Sequence, residues 1–460
     1  MTEGNRPGAD AADATREKAN APREKANAPR EKGGWGSLSP ENKFLLLILG
    51  FTAFFDGFDR GIIQVALPQI RETFDLDQSQ MSLWLMVIYI GALPAVFVTR
   101  LADKIGRKQL LLFSVVGYMV ATAATALAPS ILWFVAAQFV ARLFLNAEHA
   151  LVLTLAAEEL PARARGFGFG YLAMQLALGF GTGSLIYGGL MEPNGVGWQW
   201  MYVLSLPPLL MIGWLRRRLP ESRRFEEARD SGQLVSNWRA IFNGETKKWL
   251  LLLCSTAFLL ELATHAGVFT VDFLQEDRGL SATASNFMLV AAGIPGIPVM
   301  IIAGNLSDRF GRRIVGCTFA VVSGFGAVGF FWLPGGIPVL YVCMTVMLAG
   351  QLGAGPVLAT YAAELFPTAL RGQAGSWGKI AAVAGQAASF GIGGVLITVF
   401  GGLPGAATAL MAGPLLAVFL FAVFFPDTHG RELEETSGSG LVVDPGVVIP
   451  GEVPAPTPTD

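Results

Sequence analysis

Thr99-Arg-Leu-Ala-Asp-Lys-Ile-Gly-Arg-Lys108 and Gly304-Asn-Leu-Ser-Asp-Arg-Phe-Gly-Arg-Arg313 are two copies of one pattern, roughly two hundred residues apart and each set between long apolar runs. Each copy places an Asp, a Gly and several cations in a connection too short to be a domain, between stretches that can lie only in lipid. The chain therefore reads as a membrane protein built twice in tandem.

Composition agrees. The chain is 52% hydrophobic and 15% charged, with a mean hydropathy of +0.50, against about 25% charged for a soluble domain. A membrane-crossing helix needs about 20 mostly apolar residues. Twelve such stretches can be placed, at 43–68, 82–101, 109–128, 131–157, 167–190, 198–215, 248–271, 285–305, 313–332, 338–361, 373–399 and 404–425. The reading is an all-α membrane protein with twelve transmembrane helices in two pseudo-symmetric six-helix bundles, 41–215 and 248–425. A polar linker with an amphipathic helix over 216–247 joins them. The flanks 1–40 and 426–460 read as cytoplasmic tails, the first disordered and carrying the repeat Arg-Glu-Lys-Ala-Asn-Ala-Pro from Arg16 and again from Arg23. No cleavable leader is read before the first span.

Lys and Arg set the orientation. One series of connections carries Lys104, Arg107, Lys108, Arg163, Arg165, Arg216, Arg217, Arg218, Arg309, Arg312, Arg313 and Arg371. The other has only Arg71 and Arg278, diluted by Glu72, Asp75, Asp77, Asp272, Glu276 and Asp277. Both termini are expected in the cytoplasm, with the protein in the plasma membrane. The net charge of −2 averages a basic face against an acidic one and gives nucleic-acid binding no support. Cys254, Cys317 and Cys343 lie inside spans without ligand spacing, so neither a metal nor a disulfide framework is expected. No cofactor is called for, and no nucleophile–base constellation suggests an enzyme.

The duplicated loop has a mechanical reading. Asp103 and Arg107, like Asp308 and Arg312, are four residues apart, so each pair can reach each other or the end of a neighbouring helix. Gly106 and Gly311 permit the sharp turn between them. A second duplicated signal closes spans 4 and 10: Glu158-Glu-Leu-Pro-Ala-Arg-Ala-Arg165-Gly166 against Glu364-Leu-Phe-Pro-Thr-Ala-Leu-Arg371-Gly372, with Glu three residues before Pro and Arg four after. The recurrence of Asp, Gly, Glu and Arg in both halves favours a gating latch over charge that merely sets topology.

With these motifs in view, the chain resembles a major facilitator superfamily transporter over roughly residues 40–436, Thr99 being a departure where the first loop copy normally has Gly. Tyr361-Ala-Ala-Glu-Leu-Phe-Pro-Thr368, Arg371-Gly372, Pro220-Glu-Ser-Arg-Arg224 and Pro426-Asp-Thr-His-Gly430 are similar to the sugar-porter branch and its metabolite–proton symporter relatives. Asp56-Gly-Phe-Asp59, followed by Pro68, resembles the first-span signature of aromatic-acid–proton symporters. The paired glutamines usual in span 7 of sugar porters are replaced by Glu261 and His265. The resemblance implies alternating access between two halves.

Charge inside a membrane is costly and points to function. Asp56 and Asp59, at i and i+3 of span 1, are expected to couple transport to protons, with Glu148 and Glu261 as further carriers. Arg60 beside them offers a structural alternative, a self-neutralising cluster. In span 4, Arg142, Asn146 and His149 share a stripe. Relatives place an Arg of this span opposite the span-1 Asp, so Arg142 is expected near Asp59, although it lies about one turn deep and Gln138 holds the usual position. Glu261 and His265, at i and i+4, form a third cluster that either moves a proton or pins span 7. Lys379 reads as a snorkelling cation or as the counter-ion of an anionic substrate. Gln175, Trp377 and Gln386 complete the expected substrate contacts. The function so read is proton-coupled uptake of a small organic acid or related metabolite by a monomer, with a drug or metabolite exporter and a sugar-type porter as alternatives.

Overall fold

A computed structural model describes residues 35–101, 105–161, 164–207, 240–242, 244–367 and 370–426. Most of the expected linker 216–247, nearly all of both tails, and Lys104 and Arg163 lie outside the described residues, as does Asp103. The described residues form helices and no strand. Among the described residues, ten helices are long and apolar enough to cross a membrane: Gln78–Thr99, Lys108–Ala126, Ile131–Glu159, Arg165–Asn194, Thr246–Glu276, Ala282–Val299, Arg312–Trp332, Ile337–Ala362, Arg371–Phe400 and Leu403–Val423. They are spans 2–5 and 7–12 of a twelve-span, two-bundle fold. Span 1, Pro40–Val65, is a full-length helix whose apolar character is interrupted at mid-length by Asp56, Asp59 and Arg60. Span 6 begins with Gln199–Leu204 and runs out of the described residues.

Local sequence starts these helices in the ordinary way. Ser39 accepts a hydrogen bond from the Asn42 backbone N–H at 3.2 Å ahead of Pro40. Asp77 and Gln80 form a reciprocal capping box at the start of span 2. Such side chains satisfy N–H groups that the first helical turn leaves unpaired. Gly106 (φ 98°) and Gly311 (φ 92°) both take the left-handed backbone that turns one span into the next.

Without water to drive helices together, close backbone approach does the packing. A Cβ on Gly57 would collide with the Leu176 carbonyl, and one on Gly179 with the Phe54 carbonyl, so spans 1 and 5 lie backbone to backbone. Spans 7 and 11 repeat the arrangement, with Gly385 against the Phe258 carbonyl. The exterior is apolar: Phe97, Phe113, Phe325 and Val399 are each more than half exposed, as a surface facing acyl chains requires.

The buried apolar residues show how the halves meet. One cluster draws on both halves, with Ile62 and Tyr187 from the first and Phe269 and Phe390 from the second. The other two each belong to one half: Leu46, Leu110 and Leu155 in the first, Leu250, Val357 and Tyr361 in the second. The shared cluster lies at the face opposite the duplicated loops, and the separate ones lie towards the basic, loop-bearing face. Among the described residues, a shared apolar cluster joins the halves at the face opposite the loops, and none joins them at the basic one.

Candidate transport site

Hydrogen bonds follow the same division. Gln64 donates to the Gly267 carbonyl at 2.8 Å, Ser82 to the Phe390 carbonyl at 2.7 Å, and Thr283 to the Gly188 carbonyl at 2.6 Å. Arg71 pairs with Asp272 at 2.5 Å, and Gln78 donates to the second Asp272 oxygen at 2.8 Å. All of these bonds cross from one half to the other at the opposite face.

Below this seal, span 1 carries the ionisable groups of the first half. Arg60 Nε donates to Asp56 Oδ1 at 2.6 Å, one helical turn along, and His149 Nδ1 from span 4 lies 2.8 Å from Asp56 Oδ2. Asp56 is thus a bridged carboxylate that ties span 1 to span 4. Asp59 differs. It is buried, makes no ion pair among the described residues, and its Oδ1 has no hydrogen-bond partner. Glu148 is also buried, with Oε2 unpartnered.

The expected Arg142–Asp59 ion pair does not form. Arg142 is buried with its guanidinium over the Tyr89 ring at 4.8 Å, and its Nε and Nη2 lack partners. Gln138, one turn earlier in span 4, donates to Thr125 Oγ1 at 3.1 Å. Asn146 donates back to the Arg142 carbonyl at 2.8 Å, and Gln175 donates to the Tyr171 hydroxyl at 2.9 Å.

In the second half, a cavity of about 420 Å³ runs along spans 7, 9, 10, 11 and 12 from Thr264 and Ser323 towards Arg371. Its walls are mostly Ala, Gly and Leu. Glu261, Gln351 and Lys379 supply polar groups, and Lys379 is exposed to the cavity and free of any ion pair among the described residues. Glu261 Oε2 accepts from Thr264 Oγ1 at 2.8 Å and from Gln386 Nε2 at 3.0 Å. The expected Glu261–His265 pair is absent. A 3₁₀ turn, Glu261–Ala263, interrupts span 7 and changes the angular register, so the two side chains part. His265 is fully buried, stacks on Phe269 at 4.6 Å and meets Ser82 Oγ at 3.1 Å, joining the seal between the halves. Trp377 packs edge-on against Phe242 at 5.5 Å, outside the cavity lining.

At the basic face the second copies of the two duplicated motifs meet. Arg312 binds Glu364 through Nη2 at 2.8 Å and Nε at 3.1 Å, and its Nη1 donates to the Ser307 carbonyl at 2.9 Å. The side chains of Arg107 and Asp308 lie outside what is described. Glu158 sits half-buried at the end of span 4. Arg165 Nε donates to the Leu160 carbonyl at 3.1 Å, and Arg371 Nε to the Phe366 carbonyl at 3.1 Å, each holding the last residue before the helix-ending proline.

Three features escaped the sequence reading. The Arg60–Asp56 bond was open only as an alternative, although its i, i+4 spacing is a readable signal. The Arg71–Asp272–Gln78 cluster joins residues about two hundred positions apart and leaves no local trace. Ser323 Oγ and Gln351 Nε2, unpartnered polar atoms of cavity-lining residues, lie in runs of small residues that read as packing.

A duplicated helical bundle with ionisable groups buried inside its spans and a cavity lined by Glu261 and Lys379 defines a membrane transport protein, not an enzyme. The chain belongs to the Major Facilitator Superfamily, whose pattern matches residues 49–270 and 251–449. Among curated relatives, the niacin transporter NiaP of Acinetobacter baylyi is 26% identical over 375 residues, covering 74% of this chain and 84% of that protein. The cis,cis-muconate transport protein of the same organism is 26% identical over 363 residues, covering 74% and 83%. The inward open conformation of the xylose transporter XylE from E. coli superposes with a TM-score of 0.70 at 16% identity, covering 86% of this chain and 99% of that one. The protein is a multi-pass membrane transporter of a small molecule.

Proposed function

We propose that this transporter takes up a small organic acid by proton symport. The observation that carries the reading is Lys379, a cation without an ion pair among the described residues, exposed in the cavity beside Glu261. An ammonium without an ion pair, in a chamber walled mostly by Ala, Gly and Leu, suits a carboxylate, and charge-assisted bonds are about twice as strong as neutral ones. Niacin and cis,cis-muconate, named for two relatives, are both small carboxylic acids.

Asp59 is the proton carrier in this scheme. Burying a charged group without a partner is costly, so Asp59 gains more from protonation than Asp56, which is already shared by Arg60 and His149. Protons and substrate enter when the halves part at the face now sealed; the halves then rock, and both leave through the cavity towards the basic face. That face is cytoplasmic in this reading, which places both termini inside, the protein in the plasma membrane and the present conformation inward-open. Gly106, Gly311 and the Arg312–Glu364 and Arg165 and Arg371 contacts form the latches that re-close it. One chain contains the whole pathway and acts as a monomer.

The test is uptake into proteoliposomes bearing an imposed pH gradient, with nicotinate, cis,cis-muconate and xylose as substrates. Acid accumulation that collapses with a protonophore supports symport. Uptake of xylose but of neither acid moves the reading to a sugar porter, and efflux driven by an opposite proton flux moves it to an exporter.

A further inference from the structure

On the outer wall of the second bundle, away from the transport cavity, spans 7 and 12 leave a groove of about 510 Å³ near the basic face. Leu251, Leu252, Leu420 and Phe424 line it, and Lys247 and Lys248 stand at one end. Both lysines are exposed and neither makes an ion pair among the described residues; the Lys248 ammonium rests 5.1 Å from the Trp249 ring centre. Leu251 and Phe424 are half exposed or more, so the walls face the acyl region. A general excess of cations at this face accounts for lysines at this level. It does not account for an apolar cleft directly beneath them.

We propose that the groove binds an anionic membrane phospholipid, its phosphate held by Lys247 and Lys248 and one acyl chain laid along Leu251, Leu252 and Phe424. Two observations select this occupant. Two exposed lysines with no ion pair among the described residues favour a headgroup of net negative charge over a zwitterionic one, whose own ammonium offsets its phosphate. The apolar walls continue from Lys248 to Ser255, about 10 Å of helix, a length that a soluble anion cannot use and an acyl chain fills. A lipid seated there would grip Gly244–Leu260, the half-helix that ends at Glu261 in the cavity wall. The bound lipid therefore steadies a wall of the transport site from outside. This inference is independent of the substrate and of proton coupling.

The experiment is thermal unfolding of the purified full-length protein in detergent, with phosphatidylglycerol, phosphatidylcholine or inorganic phosphate added. A ligand that binds the folded state raises its melting temperature. Phosphatidylglycerol should raise it clearly more than phosphatidylcholine, and phosphate alone should leave it unchanged. Lys247→Gln with Lys248→Gln should lose the greater part of the phosphatidylglycerol increment, while Lys247→Arg with Lys248→Arg keeps it. Ser255→Trp, which fills the groove and retains both charges, should lose it as well. An undiminished increment in both the Gln pair and the Trp variant overturns the proposal, as does an equal increment from free phosphate. If the Gln pair fails to fold, the Arg pair and the Trp variant still decide.

Discussion

Arg71 and Asp272 meet across the seam between the two halves, Nη1 to Oδ1 at 2.5 Å, with Asp272 fully buried. Removing one partner of a buried pair leaves an uncompensated charge, at a cost of about 3–5 kcal/mol. The cost falls only on the conformation in which this face is closed. Arg71→Gln should therefore shift the protein towards opening at this face by at least about tenfold, since 1.4 kcal/mol is a factor of ten. Spin labels at Glu72 and Glu276, both exposed beside the seam, would report the separation. An unchanged distance distribution would show that the pair does not hold the face shut.

Asp277 gives the same face a pH dependence. Partial burial raises its carboxyl above the usual range, against a weaker opposing hydrogen bond from Gln78. Asp277 keeps part of its surface in water while the seam is closed; opening the seam completes that hydration and restores an ordinary pKa, so the closed form binds the proton more tightly. Closure should be favoured as pH falls through the raised value, and the preference should vanish at pH well above it. In the same label experiment, Asp277→Asn should flatten this response on the alkaline side of the ordinary aspartate value of about 3.9. A response of undiminished size in that variant would assign the titration to another group.

The fold was legible because lipid admits few solutions. Apolar length gave the spans, and the Asp-Gly-Arg repeat gave the two halves. Span 1 was legible too, at 43–68, although Asp56, Asp59 and Arg60 dilute its apolar run, and it is a complete helix over Pro40–Val65. The site was legible as an inventory and less so as pairings. Spacing assumes an unbroken α-helix, and the 3₁₀ turn at Glu261 sends His265 into the seal and Glu261 into the cavity. Position along span 4 did not give Arg142 its partner: its guanidinium rests on Tyr89, with no ion pair to Asp59 among the described residues.

Asp56 and Asp59 should separate experimentally. Asp59→Asn removes the titratable group while keeping its shape, so pH-driven accumulation should be lost while counterflow exchange, which moves no net proton, persists. Asp56→Asn breaks the charged bridge to Arg60 and His149, which are themselves only part-buried. It should lower the melting temperature and slow both assays together. If Asp59→Asn still accumulates substrate, the proton travels on Glu148 or Glu261.

Arg312 and Glu364 form a fork-like pair that is only slightly exposed, at 11% and 13%. Glu364→Gln keeps the shape and one acceptor but removes the charge attraction, so a loss of about 1–3 kcal/mol is expected, the range for leaving a polar group poorly satisfied. As a latch, the pair should also change rate: exchange should fall more than binding affinity. Equal exchange rates in wild type and variant, with lowered stability alone, would reduce the motif to a structural clamp.

Lys379 decides the substrate class. If its ammonium meets a carboxylate, Lys379→Met should weaken the binding of nicotinate far more than that of nicotinamide, because only the acid loses a charge-assisted bond. A loss of about tenfold to a hundredfold for the acid corresponds to about 1.5–3 kcal/mol, the range for hydrogen bonds to charged groups. Arg142→Met supplies the contrast. Its guanidinium is buried against Tyr89 and Lys379 is exposed in the cavity, so this change should affect acid and amide alike, through packing between spans 2 and 4. Affinities of both ligands for wild type and both variants, measured by calorimetry, give the answer. A selective loss in Arg142→Met with none in Lys379→Met would move the carboxylate from the second half to the first, and would make Arg142 the group that the substrate draws away from Tyr89.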